Sequence, residues 1–597
     1  MHPHNAIQSM TEFLGRHRPL VVLLALILTL SLIPALEIFF FLGNSWQGIP
    51  PVFGDETLYH ARVQTIVQGH TGGNPYFMEH SDGPPLVVFG GAWLNAIPGL
   101  LGVSFNTTLL LNFMLWSLLF ALSAFYLFRE LRVPPWVAVG STVFVYLQSY
   151  AHVWRPANLQ PVYPFIFLFY LVLARFMREQ SRRNSILLAL ATGATFYLYA
   201  FLWQIAVVTL GLLALYAFAQ KNWPLLRATI FSSCIGGAIG LPVPLYVVWL
   251  SHTSPYFWES LGRLGLVNTH LPMAEVMYSG GWIGIVLVLL LVLSRKVQML
   301  REDVAFVSLG LFLTISGFGL WGMQGSNLIT GKLFETAEHV RILILPWLVF
   351  ATVSLGVFLW ERRVLMSKSV RVFSIAVIIL LSGAHGYFLR EYIAPFLPAS
   401  ISRESWQTQQ LYAKPFAWLQ QQEKDPIVVW SDPHDFLATD LPVFTRHFAL
   451  YAYWGMLELV PEGEIRERYL ISQYFNNPTL SDLKSESEMS LYLGRHDFPH
   501  EAKTVERGIK LCRILFFWDT HKECGTPPTP QSLLGEKFFT DLESKFQTDI
   551  KPNIKTYLKK YHVAYILKDK VLNPTYHPET LGAKLVYADD RFEIYHL

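Results

Sequence analysis

The chain has 597 residues, 52% of them hydrophobic and only 15% charged, with a formal net charge of +3. Soluble proteins carry about a quarter charged residues, so this is the composition of a polytopic membrane protein. The small net charge says little about nucleic acid, which is not expected as a partner, and three cysteines exclude a disulfide-built scaffold.

The first apolar run, residues 19–42, exceeds the roughly 20 residues that cross a bilayer. It is longer than the apolar core of about 7–15 residues in a cleaved signal, so it is expected to be retained as a span. Further runs lie near 86–103, 106–128, 135–151, 161–177, 185–201, 202–219, 225–250, 280–294, 303–322, 342–360 and 371–389. The run 86–103 is broken by Gly90-Gly91, Asn95, Pro98-Gly99 and Gly102. That pattern suits an interfacial or re-entrant segment. With it set aside, about 11 spans remain, and basic residues divide about 17 to 5 between the two faces. The positive-inside rule then places the N-terminus in the cytoplasm.

That sorting puts four polar segments on the outer face: the first loop, residues 152–156, residues 251–279 and residues 323–341. The outer cations are Arg62, Arg155, Arg263, Lys332 and Arg341. With so few there, each is a candidate for holding an anion; headgroup contact and snorkelling are the competing reading. The expected organisation is a membrane domain over 1–390, with its first outer loop at 43–105, followed by a small extracytoplasmic α/β domain over 391–597.

The first loop opens Gly54-Asp55-Glu56-Thr57-Leu58-Tyr59-His60-Ala61-Arg62. Adjacent carboxylates point in different directions and suit separate jobs, one as general base and one as orienting group. His60 and Arg62 follow within two turns and are placed to tune the pair by charge. A capped helix start is the competing reading. The loop continues through Glu79, His80 and Asp82, which together with Asp55 have the right chemistry for a divalent cation. No defined ligand spacing is present, so a solvated turn is the simpler reading and no metal ligands are assigned. Before the run at 342 the chain reads Glu335-Thr336-Ala337-Glu338-His339-Val340-Arg341, preceded by Lys332. An arginine at the mouth of an apolar span, with lysine and histidine near it, suits a phosphate. Arg155, beside Trp154, suits a phosphate or an interfacial anchor.

In the C-terminal part, helices are expected at 405–421, 462–475 and 537–559, and strands at 427–430, 443–450, 513–518 and 562–567. A closing hairpin is expected over 585–596. No glycine-rich phosphate loop follows any of these strands. Cys512 and Cys524 would share an oxidising compartment, where a bridge and free thiols are both open.

The chain resembles the GT-C superfamily of integral-membrane glycosyltransferases, in the branch of protein O-mannosyltransferases and the lipid A aminoarabinose transferase. The residues that carry the likeness are Asp55-Glu56, Tyr59, Ala61-Arg62 and Pro84-Pro85-Leu86, with Arg155-Pro156 and Arg341 further on. The likeness covers roughly residues 15–390. Where the aminoarabinose branch has a basic residue before Pro-Pro-Leu, this chain has Asp82-Gly83. No Trp-Trp-Asp motif marks an oligosaccharyltransferase.

The resemblance implies an inverting transferase in the plasma (inner) membrane. It would move a sugar from a polyprenyl-phosphate donor to a lipid, glycan or protein acceptor at the outer face. Asp55 and Glu56 would be catalytic. Arg341, Lys332, His339 and Arg155 would hold the donor phosphate. Tyr59, Arg62, Glu79 and His80 would support the loop or the acceptor. A divalent cation is compatible with the scheme, and no cofactor is demanded by it. The alternatives are a flippase-like transporter of cell-envelope glycan assembly and a non-catalytic protein that keeps the fold.

Overall fold

A computed structural model describes residues 17–50, 56–88, 90–153, 159–270, 274–334, 336–393, 403–432, 436–485, 497–516, 519, 522–526 and 528–597. Seven of its helices are long and apolar enough to cross a membrane. They are Arg18–Ser45, Phe105–Glu130, Leu159–Arg178, Leu202–Ala219, Val304–Gln324, Ile342–Glu361 and Lys368–Gly386. The pair Trp223–Gly240 and Pro242–Thr253, bent by 45°, makes an eighth if counted as one span.

The other expected spans correspond to Pro135–Gln148, Arg182–Leu198 and Ala274–Lys296, of 14, 17 and 23 residues. The first two end before their apolar runs do: Ser149 caps one, and Tyr199 turns extended after the other. At 1.5 Å per residue they reach about 21 and 26 Å, short of a hydrocarbon core of about 30 Å. All three pack against neighbouring helices of the bundle. Gly90–Leu100, in the broken run, is an 11-residue helix of about 17 Å, too short to cross.

Charged helix ends meet in pairs. Glu130 accepts from Arg175 Nε at 3.0 Å and is also bonded by Arg178. Asp303 caps Val304–Gln324 through the amides of Ala305 and Phe306 and accepts from Arg362 Nε at 2.7 Å. At another junction, β1 (Leu266–Asn268) pairs antiparallel with β2 (Lys332–Phe334) and joins the loops on either side.

The C-terminal part is built on a five-stranded mixed sheet. Its strands are β3 (Val428–Trp430), β4 (Phe448–Ala449), β5 (Val563–Asp569), β6 (Lys584–Ala588) and β7 (Phe592–His596), in the order β4-β3-β5-β7-β6. β4, β3 and β5 run parallel; β7 runs antiparallel to β5 and β6, which gives the expected closing hairpin. Helix Glu462–Ser472 matches its expectation.

Two strand expectations fail. The run at 513–518 continues helix Asp497–Leu515 as far as its described residues go. A short apolar run does not by itself distinguish strand from helix, and the amphipathic stretch before it extends the helix. The run at 443–450 divides into the end of helix Phe436–Phe444 and the two residues of β4. That helix packs against Glu56–Val67. Cys512 and Cys524 are disulfide-bonded, and Cys234 is free.

The loop after the first long helix shares the core of the C-terminal sheet. Ile49, Leu58, Ala61, Tyr76 and Phe77 are buried with Val429, Ala449, Tyr451 and Ile566 in one cluster. The Ala449 amide of edge strand β4 donates to the Tyr76 carbonyl at 3.0 Å. Gly455 is required here, because a Cβ on it would stand 2.8 Å from Phe77 Cζ. The loop thereby covers part of the sheet edge that β4 would otherwise leave open.

Candidate functional site

Helix Glu56–Val67 places Glu56, Tyr59 and Arg62 at spacings of three, on one side of the helix. Glu56 is in its first turn, where the helix dipole favours a carboxylate. Arg62 is 4% exposed. Its guanidinium lies 5.7 Å from the Tyr59 ring centroid. Nε donates to Glu458 Oε1 at 2.8 Å, and Nη2 bonds the same oxygen. Burial raises the pKa of Glu458, against the opposing charge and hydrogen bond of Arg62 and the Leu86 amide.

Arg263, at the end of the short helix Phe257–Arg263, is fully buried. It donates to the carbonyls of Met456 at 2.8 Å, Val460 at 2.5 Å and Glu458 at 3.3 Å. Two of the five cations expected on the outer face therefore clamp the segment 456–460 of the C-terminal part. They are joined to protein groups rather than held open for an anion.

Glu79 and His80 make a second clamp. Arg468, wholly buried, donates to Glu79 Oε2 at 2.5 Å and to Glu464 Oε1 at 2.8 Å. His80 Nε2 lies 3.0 Å from Glu464 Oε2. The Arg468 guanidinium also lies 4.5 Å from the Phe77 ring centroid and 4.0 Å from that of Tyr561. Burial pushes the Glu464 carboxyl up, but His80 and Arg468 outweigh it and hold the pKa at about 2. Asp82 stands apart, with His70 Nδ1 at 2.9 Å. Among the described residues no group of three or more His, Cys, Asp or Glu side chains is placed to hold a metal ion.

Beside Glu56 lies a cavity of about 380 Å³. Its walls are apolar, with Pro34 and Ile38 from the first helix and Leu109, Leu110 and Phe113 from Phe105–Glu130. Pro34 is inside its helix and leaves the carbonyl four residues back without its amide partner. The polar lining comes from Glu56, His60, Gln160, Asn106 and Ser31. His60 is 1% exposed, and burial lowers its pKa to about 3. It is therefore neutral near pH 7 and does not tune the acidic pair by positive charge, contrary to the sequence-based expectation.

Of the remaining predicted residues, Lys332 is exposed on β2, with Nζ 2.6 Å from Asn268 Oδ1 and 5.7 Å from the Trp258 ring centroid. Asp55 and Arg155 lie outside the described residues. His339 and Arg341 belong to helix Thr336–Glu361, and their side chains are likewise outside the description. The structure thus joins Glu56 to a cavity, and Arg62, Glu79 and His80 to the C-terminal part. Gln160 and Glu458 went unnoticed in the sequence. A glutamine opening an apolar run before Pro161 was a visible signal for the first. Glu458, 396 residues from Arg62, carried none.

Compared with known proteins, the chain matches no family model and no curated protein at a significant level.

Proposed function

We propose that this protein is a membrane-embedded glycosyltransferase that uses a lipid-linked sugar at the outer face of the membrane. The observation that carries the reading is the cavity beside Glu56. Its lining is mainly apolar, from two membrane-length helices, and includes Glu56, which directly follows Asp55 in the chain. A mostly apolar lining with a few polar groups suits an amphiphile. The charge asymmetry of the loops supports a cytoplasmic N-terminus and an extracytoplasmic C-terminal part. The motif resemblance supports a polyprenyl-phosphate donor.

The reaction in this reading is a single displacement. The Asp55 carboxylate takes the proton of the acceptor hydroxyl while that oxygen forms the bond to the anomeric carbon. The bond from that carbon to the phosphate oxygen breaks, and the polyprenyl phosphate leaves with the electron pair. The configuration inverts. Arg341, Lys332, His339 and Arg155 are the proposed holders of the leaving phosphate. Glu56 orients the acceptor from the helix start.

Transfer is measured with purified full-length protein in nanodiscs and radiolabelled prenyl-phosphate sugars. Asp55→Asn is expected to lose roughly 10²–10⁴-fold in turnover, the usual contribution of a general base. It should keep the elution profile and melting curve of the wild type. Transfer at the wild-type rate by this variant overturns the assignment.

A further inference from the structure

Helix Asp497–Leu515 ends on an exposed apolar face. Leu511 is 51% exposed, Ile514 68% and Leu515 52%, and Phe516, the next residue, is 40% exposed. Spacings of three and four put Leu511, Ile514 and Leu515 on one side of the helix. Apolar residues exposed singly need no explanation, but a contiguous group at one helix end marks a docking surface. The Cys512–Cys524 bridge fastens this last turn to the chain that follows.

Position identifies what covers the face. The helix packs against β1, which pairs with β2. Val304–Gln324 leads through the single turn Asn327–Thr330 into β2, and helix Thr336–Glu361 starts two positions after β2 ends. The membrane-length stretch of that helix begins at Ile342, six residues in, or about 9 Å along its axis. With Ile342 at the hydrocarbon edge, β1 and β2 stand at the outer margin of the headgroup region, which reaches about 5–8 Å beyond the hydrocarbon on each face. Just before β1, Trp258 is 59% exposed, with Lys332 Nζ 5.7 Å from its ring centroid. Tryptophan and lysine suit the membrane interface.

The charges agree. Arg507 stands four residues before Leu511, and Lys510 four before Ile514, so both border the apolar face. Lys510 is exposed and lies 2.6 Å from Glu506. Lys522 Nζ lies 5.1 Å from the Phe516 ring centroid. Long basic side chains around an apolar helix face match lipid phosphates above acyl chains. A second copy of the chain would have to reach the same face at the level of the headgroups.

We propose that Leu511, Ile514, Leu515 and Phe516 insert into the bilayer surface and hold the C-terminal part down on the membrane. This attachment is additional to the buried clamps of Arg62 and Arg263. The inserted face uses no residue of the proposed transfer reaction, so the two readings fail independently.

The test uses full-length protein with the photoreactive residue benzoylphenylalanine in place of Ile514, reconstituted in liposomes of phosphatidylcholine and phosphatidylglycerol. After irradiation the products at position 514 are identified by mass spectrometry. Phospholipid adducts are expected as the main product. Adding Leu511→Glu/Leu515→Glu, which alters only exposed side chains, should lower the lipid adduct by roughly ten-fold, because two apolar anchors are lost. The elution profile and the Cys512–Cys524 bridge should be retained. A main product linking position 514 to a second copy, or to another segment of the same chain, overturns the proposal. So does the absence of lipid adduct, or an equal yield of it in the folded double variant. The probe in the otherwise wild-type chain decides the matter without that variant.

Discussion

Arg62 and Glu458 form a buried pair across the junction between the first loop and the C-terminal part, and the structure sets what breaking it costs. At 2.8 Å and an effective dielectric constant of about 20, the attraction is about 6 kcal/mol before desolvation is charged against it. Removing one partner strands the other charge in the interior, which costs about 3–5 kcal/mol. Arg62→Met should therefore loosen the junction far more than it changes the bundle. Hydrogen–deuterium exchange reads local opening. A loss of 3 kcal/mol corresponds to roughly 150-fold faster exchange, expected at residues 56–67 and 456–460. The paired variant Arg62→Met/Glu458→Leu should recover most of the protection, because apolar replacement of a buried pair is close to neutral. Exchange within five-fold of wild type in Arg62→Met refutes the anchor. So does a paired variant as fast as the single one. An Arg62 that served an anion would instead lose ligand binding with protection unchanged.

His60 is held neutral with a pKa of about 3, below its unfolded value of 6.5. The unfolded chain thus takes up the proton first, and the stability conferred above pH 6.5 is lost as pH falls from 6.5 through 3. At pH 5 the loss is about 2 kcal/mol. Melting curves at pH 7 and pH 5 should show a smaller acid shift in His60→Asn than in wild type, and equal shifts would refute this. Glu464, held at about 2 by His80 and Arg468, confers stability that is full above 4.5 and is lost as pH falls from 4.5 through 2. Glu464→Gln should flatten that acid limb of the melting temperature. Serine at both Cys512 and Cys524, which are 12 residues apart, should destabilise the folded C-terminal part by about 3 kcal/mol. Proteolysis near residues 512–524, faster in the variant and in reductant-treated wild type, checks it.

Much of the architecture was legible in the sequence because it depends on local pattern. Unbroken apolar runs of about 17–24 residues became the long helices, and the glycine- and proline-broken run became an 11-residue helix. Alternating residues at the end of the chain became a hairpin. The acidic pair drew attention to the helix that opens at Glu56, and that helix does border a cavity.

What the sequence by itself determined is the set of apolar segments, their approximate lengths and the helix that carries Glu56, His60 and Arg62. Only the tertiary structure decided that the first loop is buried in the C-terminal core and that Arg62 is spent on Glu458. It also decided that His60 is buried and neutral. The reason is physical. Helix and strand periodicity is a property of neighbours in the chain. The charge state and the partner of a polar group are set by whatever packs against it, here residues up to 396 positions away.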